Sequence, residues 1–211
     1  MRKLTVFFAV MLTAAVCFSE KIKEDFEKAD LKKWEVDSEV KIATDQFHAG
    51  KKSLSVPLGN SAVWVLGKEN KFGTVTVWVY DSKIGKIEDE ASLIGPHFGL
   101  KNSDDEMLKI GLRNEASGLK WGAYYWCSTL KNKTSWWPVF SKKLFPAAGW
   151  YKFTITYMDK TNVEVTFNDE KTIPLPEDKT AFDTGFNAIF FNGGKNGNET
   201  FYFDDIEIAL K

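Results

Sequence analysis

Asp204 is the residue of this chain whose surroundings need the most explaining. It lies in the closing stretch Thr200-Phe201-Tyr202-Phe203-Asp204-Asp205-Ile206-Glu207-Ile208-Ala209-Leu210. Strand side chains alternate between faces, so Tyr202, Ile206, Ile208 and Leu210 share one buried phase, and Asp204 falls in the same phase. A carboxylate turned into a core is costly unless it is paired, hydrogen-bonded or metal-bound. A second set of residues is aromatic and basic. If Val75, Val77 and Val79 face the core, Trp78 and Tyr80 face away. By the same alternation His97 faces away from Phe98 and Leu100, and Lys109 and Arg113 from Leu108, Ile110 and Leu112. Tyr124 and Trp126 face away from Leu119, Ala123 and Cys127. Pooled, Trp78, Tyr80, His97, Lys109, Arg113, Tyr124 and Trp126 would form an aromatic face with hydrogen-bonding flanks. Such a face suits sugar rings, whose C–H faces stack while their hydroxyls pair with polar groups. The loop Ser135-Trp136-Trp137-Pro138 brings Trp136 and Trp137 to the same inventory. The opposing reading is that this loop covers the face and makes its rings core.

The elements that must position these residues are strands. The clearest is Phe72 to Tyr80, where Val75, Val77 and Val79 alternate with Thr74, Thr76, Trp78 and Tyr80. Further runs of strand character are Val40–Thr44, Ser53–Val56, Ala62–Leu66, Leu93–Leu100, Met107–Arg113, Leu119–Cys127, Trp150–Tyr157, Val163–Phe167, Thr172–Ile173 and Phe186–Phe191. Turn residues separate them at intervals of about 8–14 residues, which reads as an all-β, two-sheet antiparallel sandwich or jelly roll. The pooled face requires the strands carrying Trp78, His97, Lys109 and Trp126 to neighbour one another, as consecutive strands commonly do. The closing strand is expected to dock against the beginning of the domain.

Residues 1–19 read as a signal peptide: a basic Met1-Arg2-Lys3, an apolar run from Leu4 to Phe18, and a cleavage site at Cys17-Phe18-Ser19. The run is too short for a membrane span of about 20 residues. The alternative is a lipoprotein signal ending at Cys17, to which Val16 is a poor fit. Residues 20–211 then form one domain, located in the extracellular space, the periplasm or the cell envelope. This part keeps 26 basic and 29 acidic residues, a net charge of −3. A balanced surface argues against nucleic acid as a partner. Cys127 has no second cysteine within residues 20–211, so no intrachain disulfide staples the core.

Several short motifs, in order along the chain, resemble the concanavalin A-like lectin and glucanase jelly-roll superfamily and its carbohydrate-binding modules. They are Asp25-Phe26-Glu27 with Trp34, the turn Asp45-Gln46-Phe47-His48-Ala49-Gly50-Lys51-Lys52-Ser53-Leu54, and Thr76-Val77-Trp78-Val79-Tyr80. Gly149-Trp150-Tyr151-Lys152-Phe153 and Phe203-Asp204-Asp205-Ile206 complete the set. The resemblance implies a structural calcium site made by the Glu27 side chain, backbone carbonyls around Gly50–Lys52 (Lys51 at its centre), and the Asp204 side chain. Calcium takes six to eight such oxygens. The metal-free alternative is that Asp204 accepts hydrogen bonds from the amides of the turn.

The implied role is non-catalytic binding of a glycan or polysaccharide. A glycoside hydrolase or polysaccharide lyase of the same fold is the rival. Retaining glycosidases of the superfamily carry an E-x-D-x-E strand with carboxylates about 5–5.5 Å apart, and this chain has no such strand. Glu88-Asp89-Glu90 and Asp104-Asp105-Glu106 read as solvated loops. His97, Lys109, Arg113 and Tyr124 imitate a lyase set, without the lyase motifs. His48 reads as a surface residue. A third reading is a cell-envelope domain whose aromatic face meets another protein.

Overall fold

The structure, a computed structural model, describes residues 20–28, 30–81, 94–113, 125–130, 137–138, 148–159, 162–171, 184–194 and 200–211. The signal-like residues 1–19, Tyr124 and Trp136 lie outside them. All regular structure among the described residues is strand. In chain order these are β1 (Glu20–Glu24), β2 (Trp34–Val36), β3 (Lys41–Ala43), β4 (Ser53–Val56), β5 (Ser61–Val65), β6 (Gly73–Asp81), β7 (Ile94–Lys101) and β8 (Met107–Arg113). There follow β9 (Tyr125–Leu130), β10 (Trp137–Pro138), β11 (Gly149–Asp159), β12 (Asn162–Phe167), β13 (Glu170–Lys171), β14 (Ala188–Asn192) and β15 (Phe201–Leu210).

They form two antiparallel sheets. The first runs β13-β12-β11-β6-β15-β4-β3, with β1 paired to the far half of β15; the second runs β10-β9-β8-β7-β14-β5-β2. The pairing of Glu20–Glu24 with Ile206–Leu210 ties the closing strand to the start of the domain, as its sequence suggested. Alternation then decides the core. Val75, Val77 and Val79 of β6 and Phe153, Ile155 and Tyr157 of β11 are at most 1% exposed, and so are Phe98, Leu100, Leu108 and Ile110 of the second sheet. Phe203 meets Phe191 at 4.7 Å and Phe98 at 6.1 Å between ring centroids, and Phe98 meets Phe153 at 5.3 Å. These ring pairs join the two sheets. The result is a two-sheet β-sandwich.

Two expectations are corrected. The strands bearing Trp78, His97, Lys109 and Trp126 do not share a sheet. β7, β8 and β9 are neighbours, but β6 lies between β11 and β15 in the other sheet. The chain changes sheet between β6 and β7, so the neighbours of β6 are strands far along the sequence. The phase of β15 also differs from simple alternation. Phe201 and Phe203 are core residues, 1% and 0% exposed, while Tyr202 faces outward and is half-buried. The pairing with β6 shifts register between Asp204 and Glu207, where Asp205 adopts φ 43°. This bulge inserts a residue and returns Ile206, Ile208 and Leu210 to the core. Asp204 therefore belongs to the outward phase of Tyr202, not to the core.

Candidate functional site

The outer face of the first sheet gathers aromatic side chains across three strands. Register sets Trp150 of β11 opposite Tyr80 of β6, and Tyr80 opposite Tyr202 of β15. Their rings follow one another at 5.4 Å (Trp150–Tyr80) and 6.2 Å (Tyr80–Tyr202), and all three residues are half-buried. The row is a consequence of strand spacing, since directly opposed outward positions on adjacent strands bring side chains into contact. At one end the Tyr202 hydroxyl donates to Asp45 Oδ2 at 3.2 Å. Burial, and then the charge of Asp45 beside it, raises the Tyr202 phenol above its ordinary 10.0.

One register step along, Lys152, Trp78 and Asp204 form the next row. Lys152 is drawn to Asp169 at 2.8 Å. The other two lie against the Asp45–Lys52 turn. The His48 ring stacks on Trp78 with centroids 3.7 Å apart and planes 16° apart, and meets Trp150 edge-on at 5.8 Å. His48 Nδ1 is 2.7 Å from Asp205 Oδ2. An ionised carboxylate can only accept, which places a proton on Nδ1. Lys23 sits 3.7 Å from the same Asp205 carboxylate.

Beneath the turn, Asp204 is 1% exposed. Its Oδ2 accepts from the amides of His48 (2.9 Å) and Ala49 (3.3 Å), and its Oδ1 accepts from the amide of Asp205 (2.8 Å). Burial pushes its carboxyl above the ordinary 3.8, these three amides pull the other way, and the neighbouring charge of Asp205 adds to the rise. Glu27 serves the other side of the turn, its Oε1 accepting from the amides of Lys51 (2.7 Å) and Lys52 (2.9 Å). The backbone oxygen of Glu27 takes the Lys52 ammonium at 2.8 Å. Gly50 makes this possible: it sits at φ 65°, and a Cβ there would fall 2.3 Å from Glu27 Oε1.

Glu27, Lys51 and Asp204 thus belong to one turn system, as the calcium expectation requires. Of the oxygens that calcium would use, Glu27 Oε1 and both Asp204 carboxylate oxygens accept from backbone amides. Among the described residues no group of three or more His, Cys, Asp or Glu side chains is placed to hold a metal. As arranged, the Glu27 and Asp204 carboxylates hold the turn by hydrogen bonds, and no step of function is routed through a metal.

The remaining expected residues lie on the second sheet. His97 of β7 is opposite Gly111 of β8, and Lys109 is opposite Gly99, so both share that sheet's outer face. Neither is near Trp78 or Tyr80, which point away from the opposite side of the sandwich. Arg113 ends β8, opposite Ile94 and Tyr125. Trp126 of β9 is opposite Leu112, and Tyr125 is opposite Arg113. Trp137 is in edge strand β10, opposite Ser128. Phe190 of β14, also in the outward phase, is only 6% exposed, so its part of this face is covered.

Sequence reasoning did not single out Trp150, Tyr202 or His48 for this site. The alternation of Trp150, Lys152 and Thr154 against Phe153 and Ile155 marks Trp150 as outward. Only the pairing of β11 and β15 with β6 shows what it stands beside.

No family model matches the chain, and no curated protein matches it. Solved structures do. The cellulose-induced protein Cip1 is 16% identical with a TM-score of 0.61, the match covering 89% of this chain and 96% of that one. Domain 4 of AbnA, a GH43 extracellular arabinanase from Geobacillus stearothermophilus solved with arabinotriose, is 17% identical with a TM-score of 0.53, over 92% and 95%. A glycoside hydrolase family 16 endo-glucanase from Bacteroides ovatus is 12% identical with a TM-score of 0.54, over 89% and 99%. At such identities the likeness is one of fold. That fold is an antiparallel two-sheet β-sandwich of jelly-roll type.

Proposed function

We propose that the protein binds a glycan or polysaccharide without cleaving it, outside the cytoplasm, through the outer face of its first sheet. The observation that carries this reading is the row Trp150–Tyr80–Tyr202, with rings 5.4 and 6.2 Å apart and Asp45 and Lys152 at hand. Aromatic platforms offer apolar area at low entropic cost, and the carboxylate and ammonium groups pair with hydroxyls. The fold supports it, since one structural neighbour was solved with arabinotriose and another with a glucan product. No helix among the described residues is long and apolar enough to cross a membrane.

The test is retention on insoluble polysaccharides and a glycan array, with the supernatant assayed for released sugar. Wild type is expected to be retained and to release nothing. Tyr80→Ala and Trp150→Ala are each expected to weaken retention about tenfold or more, the scale of one lost ring contact in a binding site. Retention unchanged in both variants would remove this face from the reading.

A second reading, a lyase or hydrolase of the same fold, draws on the second sheet. There His97 and Lys109 share an outer face on adjacent strands, with Arg113 further along β8. Sugar release lost in Lys109→Ala and kept in Tyr80→Ala would favour it. Capture of an envelope protein that added sugars do not displace would instead favour the protein-interaction reading.

A further inference from the structure

The turn lying over the candidate face is pinned along its backbone. The amides of His48 and Ala49 bind Asp204, those of Lys51 and Lys52 bind Glu27, and the Ser53 hydroxyl binds the carbonyl of Gln46. The His48 ring is held differently. Among the described residues, beyond its backbone amide it has one hydrogen bond, to Asp205, its stack on Trp78 and a T-shaped contact with Trp150. Its side chain is 27% exposed, so the ring already borders solvent. Rotation about its own side-chain bonds can move it without disturbing the pinned backbone.

Beneath and beside that ring are two unused groups. Trp78 presents an indole whose outer face is covered by the imidazole at 3.7 Å, near-parallel. Trp150 Nε1 is buried and has no hydrogen-bond partner among the described residues. A buried donor without an acceptor is rare in folded proteins, because it has given up water for nothing. Pairing the Trp150 N–H would remove that cost. The imidazole centroid lies 5.8 Å from that of the Trp150 ring, so a ligand that takes its place sits beside this indole.

We propose that the His48 imidazole is a displaceable plug: it swings off Trp78, a sugar ring stacks in its place, and a sugar hydroxyl accepts from Trp150 Nε1. The proposal rests on the reading that this face binds glycan, and adds a subsite to the Trp150–Tyr80–Tyr202 row. A flat ring lying parallel on an indole occupies the space that the C–H face of a pyranose or furanose takes on such a platform. Asp205, once released, becomes a further acceptor for hydroxyls. Binding then carries a fixed cost, the loss of one hydrogen bond to a charged group, which removing the imidazole would abolish.

The experiment is calorimetric titration of arabinotriose and of a mixed-linkage glucan oligosaccharide into wild type, His48→Ala, Asp205→Asn and Trp150→Phe. Circular dichroism checks the fold of each, and acrylamide quenching of tryptophan fluorescence is read alongside. His48→Ala is expected to bind about tenfold tighter or more, by the loss of that one charged hydrogen bond, and to show stronger quenching before ligand is added. Asp205→Asn, which weakens the latch and leaves the ring, should gain less; it decides the matter if His48→Ala fails to fold. Trp150→Phe keeps a ring and drops the N–H, and should lose about tenfold, the worth of one well-placed hydrogen bond. Wild type binding a probe while neither latch variant binds it tighter would overturn the plug and leave glycan binding standing. Binding by the latch variants alone would support the plug as a blocked site. No binding by any variant to either probe would overturn the plug together with the glycan reading beneath it.

Discussion

Replacing Asp204 by alanine is the severest test of how the turn is held. The substitution strips acceptors from three amides at once, those of His48, Ala49 and Asp205. The residue is 1% exposed, so water does not readily take over. Hydrogen bonds to a charged group contribute about 1.5–3 kcal/mol each, and an unpaired buried amide costs about 1–3 kcal/mol. The three are not additive, because all depend on one carboxylate. The lost anion also returns part of its desolvation penalty, the same penalty that raises its pKa. A net loss of about 3–4 kcal/mol is expected. At about 2–4 °C per kcal/mol for a domain of this size, the melting temperature should fall by about 10 °C. Thermal unfolding followed by circular dichroism, with urea unfolding as an independent measure, reads this directly. Asp204→Asn should lose less, because its carbonyl can still take the amides of His48 and Ala49 while its NH₂ confronts that of Asp205. A fall of less than about 2 °C in Asp204→Ala would refute the claim that the carboxylate organises the turn.

Three further outcomes follow from the same geometry. Because the folded Asp204 carboxyl holds its proton more tightly than the unfolded one, its linkage favours the folded state most below 3.8. That contribution is lost as pH rises through the higher folded value. Unfolding free energies of wild type minus Asp204→Asn, measured from pH 3 to 7, should therefore decline with rising pH, and a rising difference would contradict the sign. Gly50→Ala should cost about 1–3 kcal/mol, from the left-handed backbone and from displacing Glu27 Oε1, as read by urea unfolding. Calcium or EDTA should leave the melting temperature unchanged; a rise on adding calcium would mean that Glu27 and Asp204 turn their oxygens from the amides of the turn to the ion.

Much of the fold was legible in the chain. Period-two alternation marked Phe72–Tyr80 and Met107–Arg113 as strands, and β4 runs from Ser53 to Val56, the run read as a strand from the sequence. The closing strand does pair with the start of the domain. The motifs resembling jelly-roll proteins foretold the class of fold that the structural neighbours bear out. Alternation also gave the right outward phase to Trp78, Tyr80, His97 and Lys109, because facing is a local property of the backbone.

What no local rule supplies is which strands meet. The outward rings were divided between two sides of the sandwich when the chain crossed from one sheet to the other after β6. Trp150 and Tyr202 became neighbours of Tyr80 through pairings of strands about 70 and 120 residues away in the chain. One bulge at Asp204–Asp205 reversed the phase of half a strand, which strict alternation cannot foresee. The sequence by itself determined strand character, facing within regular strands such as β6, and the class of fold, because alternation is set by neighbours along the chain. Tertiary structure alone decided which rings share a face, what covers Asp204, and that His48 rests on Trp78. Those facts depend on contacts between residues whose positions in the chain carry no trace of one another.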